Sequence, residues 1–407
     1  MADTKNTALP ATPRGIVLTA PTRADCTREA RVLFEHLETL GLGPMLHERA
    51  LSANGAGGGA VSSGDAASGD ASARGAHDDA VSHAITLASE AFERLTPDFD
   101  TLDLHARLGT DRQPTGGELA RETMISLLAS PIAYRFPSAA EAISASRIRI
   151  DTALAGRETA LAFTTEAAER PWDYWQYAET TGFTLNEGAP LIPALQAATQ
   201  PARTGQLYSF SCYRASEYVM LLGIAQELER CNPALLDRLS ARWRAKAIQS
   251  GQFHDVFLRE HGSQTTPFAF GHYVPGDRVW FRNPDRASAD VEGYEGSWVV
   301  YLGGGLFTNF WKRDAPFTFD GKCLEIHHWR HAVVPGTNGK PTIDESIVEA
   351  RVAATLEDPE AVARILPLMQ RYRDPTGTWG DGGCIDSTRE SARWVCPGTA
   401  DLEIPFA

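Results

Sequence analysis

Lysine is nearly missing from this sequence. Of 38 basic residues only five are Lys, against 52 acidic residues, for a formal net charge of −14. An acidic chain is poorly suited to phosphate backbones, so nucleic acid is not an expected partner. Cysteine is sparse and scattered, at Cys26, Cys212, Cys231, Cys323, Cys384 and Cys396. No C-x-x-C and no Cys/His pair at ligand spacing occurs, which argues against a zinc site and suits mostly reduced thiols. A Cys384–Cys396 pairing in an oxidising compartment stays open. Long apolar runs are also missing. No stretch reaches the roughly 18 residues of a membrane span, and the N-terminus lacks the apolar core of a signal peptide. The expected location is the bacterial cytoplasm, or export without a cleavable signal; "bacterial" rests on the excess of Arg over Lys and the abundant Ala.

What is present is apolar bulk, 43% over 407 residues, enough for two or three domains. Residues 26–40 place Ala30, Leu33, Phe34, Leu37 and Leu40 on one helical face. Ser52 to Ala80 is Gly, Ser, Ala and Asp, too polar to offset its ordering entropy, and reads as a linker. Residues 83–130 have a helical pattern. Ser138 and Glu141 form an S-x-x-E capping box that starts a helix near Ala139, with Ile143, Ile150 and Leu154 as its apolar stripe. "GDRVWFRNP" and "GSWVVYLGGG" read as strands, and "DESIVEARVAATL" and "PEAVARILPLMQRY" as helices. No internal repeat is found.

Cys212 lies where the apolar segment Val219 to Ala225 would begin its helix. A helix N-terminus offers free N–H groups and partial positive charge, both of which favour thiolate. A packing cysteine is the plainer alternative. The order that follows, a helix-borne Cys, then "GD-x-V-x-F" on one strand, then "VVYLG" on the next, is that of bacterial papain-like cell-wall peptidases.

A longer stretch resembles the transglutaminases of spore-forming bacilli. Their Y-x-F-x-C motif is matched by Tyr208, Phe210 and Cys212, and their aromatic-His pair by Phe253 and His254. Their G-H…G-D…F-x-N-P element is matched by Gly271, His272, Gly276, Asp277, Phe281, Asn283 and Pro284, and their Tyr-Trp step by Tyr174 and Trp175. The resemblance runs from about 136 to 312. It implies an α+β fold: a papain-like module, with the nucleophile helix on a small antiparallel sheet, and helical N- and C-terminal extensions. The expected organisation is an N-terminal helical segment (1–50), a disordered linker (51–82), a helical region (83–165), the transglutaminase-type domain (166–335) and a C-terminal helical extension and tail (336–407).

The implied activity is protein-glutamine gamma-glutamyl transfer, with Cys212 forming a thioester from a Gln side chain and a Lys amine resolving it. The implied partners are proteins carrying those side chains, with no nucleic acid and no membrane; no cofactor and no metal is expected. Three departures leave alternatives open. Ser211 stands where the family has a Glu before the cysteine, Ser297 where a second Glu begins the last strand, and Asn309 where a His follows it. Glu295, two residues before Ser297, is one substitute for the acid, with Asn309 as an orienting third member. A histidine from elsewhere, such as His254, His272 or the His327, His328 and His331 cluster, is another source of a base. A cysteine deamidase or peptidase, such as a toxin effector, and a non-catalytic binding homologue are the other function classes.

Trp175, Tyr208, His272 and Trp298 are the expected substrate-binding residues, although core packing is the plainer role for a tryptophan. His327, His328 and His331 suggest metal ligands, but on a strand adjacent histidines point to opposite faces. Gly303 to Gly305 lacks the Lys-Ser/Thr of a phosphate loop and reads as a turn. Limited proteolysis should cut first between Ser52 and Ala80 and leave a stable fragment from about residue 83. A protease-resistant segment there overturns the linker reading.

Overall fold

The computed structural model describes residues 14–51, 81–162, 168–336, 339–374 and 383–405. The expected linker falls almost wholly outside them, at 52–80.

The first part of the chain runs β1 (Gly15–Ala20), α1 (Arg23–Thr39), β2 (Leu46–Leu51), β3 (Val81–Leu87), α2 (Ser89–Leu95), α3 (Leu104–Leu108), α4 (Gly116–Leu128), β4 (Ala133–Phe136) and α5 (Ala139–Glu158). Segments 1–50 and 83–165, expected to be helical, therefore also supply a four-stranded sheet of order β2-β3-β1-β4. Strand β1, "GIVLTA", is buried almost throughout because it is central, pairing antiparallel with β3 and parallel with β4. Helix α1 starts where Thr22 caps the Asp25 N–H, and it buries Cys26, Ala30, Leu33 and Leu37; Phe34 and Leu40 stay at the margin.

Helix α5 begins as its sequence suggests, with Ser138 Oγ accepting from the Glu141 N–H at 3.2 Å. The Glu141 carboxylate, however, accepts from the N–H groups of Val395 and Cys396 and from Thr399 Oγ1, tying the C-terminal residues to this helix start. The expected stripe of Ile143, Ile150 and Leu154 is only half-buried. The buried face is Ala142, Ser144, Ser146, Ile148, Arg149, Thr152, Ala153, Ala155 and Gly156. The reason is the closeness of the next long helix: a Cβ on its Gly223 would lie 2.4 Å from Thr152 Oγ1 and 2.9 Å from the Ile148 carbonyl. Only small side chains fit such an approach, so apolar periodicity misidentifies the buried face.

The second part runs β5 (Trp175–Ala178), β6 (Gly182–Leu185), α6 (Leu191–Thr199), α7 (Pro201–Thr204), α8 (Cys212–Cys231), α9 (Pro233–Ala245), α10 (Ser250–Phe257), β7 (Leu258–His261), β8 (Arg278–Arg282), α11 (Arg286–Ala289), β9 (Gly296–Gly303), β10 (Leu306–Phe307), β11 (Phe317–Thr318), α12 (Phe319–Trp329), β12 (Val333–Pro335), β13 (Pro341–Ile343), α13 (Glu345–Leu356), α14 (Pro359–Met369) and β14 (Arg389–Ala392). A six-stranded sheet of order β11-β10-β9-β8-β14-β7 lies at its centre. Val300 on one face joins the core around α8, with Val219, Leu222 and Phe257. Val279, Phe281, Val299 and Tyr301 on the other join Leu324, Ile326 and Val348 of α12 and α13. Each fully buried side chain of this kind contributes roughly 1.5–3 kcal/mol. Residues 336–407, expected as a helical extension and tail, thus provide a helical layer and the strand that inserts between β7 and β8.

Two buried charges join α5 to the turn that opens β8. Arg149 Nη1 donates to Asp277 Oδ1 at 2.6 Å, and the Val274 N–H donates to Oδ2 at 2.8 Å. Gly276 has φ +84°, and a Cβ there would lie 2.5 Å from the Arg149 carbonyl oxygen. The G-D motif therefore sets a close backbone crossing and its ion pair. Asn283, later in the same motif, donates to the Tyr294 carbonyl and to Ser288 Oγ, closing the loop between β8 and β9. Arg149→Met should cost about 3–5 kcal/mol by leaving a buried carboxylate unpaired. Urea denaturation should show this loss, and Arg149→Met with Asp277→Leu should recover most of it. Equal loss in the single and double variants overturns the assignment.

Candidate active site

Ser211 caps α8, its Oγ accepting from the Arg214 N–H at 3.3 Å, so Cys212 is the first residue of the helix. Tyr213 and Arg214 are half-buried in its first turn, and Ala215 to Ala225 are buried. Cys212 is half-buried. Burial pushes its thiol above the ordinary range, while the backbone N–H groups of Trp298 and Tyr213 and the positive charges of Lys322 and Arg278 draw it back. Trp298 N–H points from the edge of β9 that β10 leaves open, since β10 pairs only with Tyr301 and Gly303.

A polar network stands beside this terminus. Arg278 on β8 donates through Nε to Ser216 Oγ at 2.8 Å, one helical turn after Cys212. Its Nη1 donates to Glu390 Oε2, and Glu390 Oε1 lies 3.0 Å from His254 Nδ1. The guanidinium carbon sits 3.7 Å above the Trp298 ring, which stacks on Trp280. Glu390 comes from β14, directly opposite Arg278. The hydrogen bond to Glu390 raises the His254 pKa, and His254 and Arg278 together hold Glu390 low against its burial. Glu217 is buried between Arg214 and Ser250. Arg278, Trp280, Trp298, Glu390, Glu260 and Asp386 help line an open cavity of about 580 Å³. Trp298 connects the two features, with its N–H at Cys212 and its indole in the cavity wall.

The structure does not bring Glu295 to Cys212. Along β9, Ser297 and Val299 share one face and Trp298 and Val300 the other; the latter meets α8. Glu295 precedes the strand in phase with Ser297 and is exposed, its backbone carbonyl accepting from the Asn283 N–H. Asn309 is turned into its own loop, donating to the Ala315 carbonyl and accepting from the Lys312 N–H. Trp175 is fully buried, donating to the Ala194 carbonyl and stacking on Tyr218. His272 is fully buried against Phe268, bonded to the Phe99 carbonyl, and its pKa is pushed down to about 3. These two belong to the core, where the absence of solvent excludes substrate contact. Tyr208 is half-buried and bonds Gln206. His254 and Trp298 alone of the expected partners stand with the network at α8. Arg278 and Glu390 were missed. Arg278 was legible as the residue sharing a strand face with Trp280, but polar "RES" gives no signal of a buried strand.

All six thiols are free. Cys384 lies 3.6 Å from Cys323, and Cys396 hydrogen-bonds Cys231, so neither faces the other as the sequence left open. No helix among the described residues is long and apolar enough to cross a membrane.

A family model described as protein-glutamine gamma-glutamyltransferase matches residues 104–402, nearly three quarters of the chain. The chain belongs to this family. The match reaches beyond the 136–312 resemblance at both ends and takes in β14 with Glu390. It makes the chain a cysteine-dependent acyltransferase that acts on protein Gln and Lys side chains. None of the curated proteins matches. Among solved structures, the transglutaminase from Geobacillus stearothermophilus without its C-terminal extension is 18% identical, covering 52% of this chain and 96% of its own, at a TM-score of 0.37.

The His254–Glu390 pair has a definite sign. A raised His254 pKa stabilises the fold fully below the ordinary value of 6.5 and ceases to do so as pH rises through the raised value. The depressed Glu390 contributes above the ordinary carboxylate range and is lost as pH falls through its lowered value. By NMR, His254 should titrate above 6.5, and Glu390→Gln should bring it down towards that value. An unchanged midpoint in the variant breaks the pairing.

Proposed function

We propose that Cys212 is the nucleophile of the gamma-glutamyl transfer and that the cavity beside Trp298 receives the substrate side chains. The supporting observation is the thiol at the start of α8 with two backbone N–H groups directed at its sulfur. The Cys212 sulfur attacks the Gln carboxamide carbon, and the thiol proton leaves with ammonia. The Tyr213 and Trp298 N–H groups stand where an oxyanion would develop. A Lys amine then attacks the thioester, forms the isopeptide bond and returns a proton to the sulfur. We read His254, buttressed by Glu390, as the group that exchanges these protons, and Arg278 as the residue that positions Glu390 and Trp298. Helix α8 against an antiparallel sheet also supports a papain-like layout for this module.

Replacing Cys212 by Ala should abolish incorporation of a fluorescent amine into a Gln-donor protein. His254→Asn should lower kcat by about 100-fold or more, the contribution typical of a general acid–base group, with little change in KM. Ammonia release without amine incorporation marks a deamidase instead. Full activity in Cys212→Ala removes the proposal. Full activity in His254→Asn leaves Cys212 in place and removes only the base.

A further inference from the structure

Away from this site, α12 ends in His327 and His328, and His331 lies in the turn that follows. The sequence reading put them on a strand, with neighbours facing apart, but Thr318 caps the Gly321 N–H and the segment is helical to Trp329. Residues 327 and 331, four apart, then lie one turn from each other, and 328 is close to both. The ring centroids form a nearly equilateral triangle: 5.0 Å for His327–His328, 5.3 Å for His328–His331 and 5.7 Å for His327–His331. One nitrogen from each lies within 4.8 Å of the others. A tetrahedral ion with nitrogens at about 2.0–2.1 Å needs ligand atoms roughly 3.4 Å apart and ring centres roughly 5 Å apart. His328 Nδ1 and His331 Nδ1 face each other at 3.1 Å.

Three further features suit a cation. His327 Nδ1 is buried with no hydrogen-bond partner among the described residues. His328 Nε2, the nitrogen turned away from the cluster, lies 2.8 Å from Thr355 Oγ1 on α13. That is the outer contact that fixes the tautomer of a ligating imidazole. His331 is exposed and leaves a coordination position open to water. The ligand set is all imidazole, with Asp285 the nearest anion acting on His331, which selects against calcium and magnesium.

We propose that His327, His328 and His331 form a three-imidazole site for a divalent transition metal of the zinc, cobalt or nickel class, with water as fourth ligand. The site joins the end of α12 to α13 and is independent of the acyl-transfer reading.

The test uses the full chain, stripped with a chelator and titrated with cobalt(II) by absorption spectroscopy and with zinc(II) by calorimetry. One ion per chain is expected, with a tetrahedral or five-coordinate visible band and no thiolate charge-transfer band. His331→Asn, at an exposed position, should weaken binding by well over tenfold with an unchanged melting curve for the metal-free protein. Thr355→Val should weaken it by about 10–100-fold, as loss of an outer contact does. Absence of binding, binding untouched by His331→Asn, or a thiolate band that assigns the ion to a cysteine each overturns the proposal.

Discussion

The buried contact between Arg149 and Asp277 is the constraint on which the catalytic part of the molecule depends. It fixes α5 against the turn that launches β8. Helix α5 in turn lies against α8 through Gly223 and Thr152. The start of α8 and the face of β8 are thereby set relative to each other by two close backbone approaches. Cys212 belongs to the first and Arg278 to the second. An ion pair in this position is costly to bury and only its geometry offsets the cost. Its value lies in orientation: Asp277 accepts from the Val274 N–H as well, so the carboxylate holds the turn and the arginine at once.

The charges around Cys212 are arranged in opposition. Burial works against thiolate, whereas the helix start, the Trp298 N–H, Arg278 and Lys322 work for it. Lys322 is itself buried on α12 and paired with Glu325 at 2.5 Å, so its charge is partly spent there. On balance, burial prevails and the thiol is held above its ordinary range. Beside it, His254 is held by the Glu390 carboxylate on one nitrogen.

The readable parts of the sequence were those with strong local rules. Ser138 announced α5, Ser211 and the apolar run announced α8, and the alternation in "RVWFR" and "SWVVYLG" announced β8 and β9. The misread parts are those where tertiary context outweighs pattern. The buried face of α5 is mostly Ala, Ser and Thr, with Ile148 and Arg149, because a helix crosses it closely. Strand β3, "VSHAITL", carries apolar residues that a helical pattern accommodates equally well. The acid position was inferred from Ser297, two residues from Glu295, and strand alternation turns both away from the face that meets α8. Glu390 arrives instead from Arg389–Ala392, whose polar side chains are buried by pairing with His254 and Arg278. No single-sequence rule points to a partner contributed from so far along the chain.

Strand β14 also sets a timetable. The sheet that carries Arg278 is interrupted until Arg389 to Ala392 slide between β7 and β8. During synthesis, β8 emerges long before its neighbour and presents a bare edge rich in Val, Trp and Phe, a template for unwanted pairing. Helix α8 with its cysteine is by then complete, but Arg278 has no Glu390 to hold it and His254 no carboxylate to orient it.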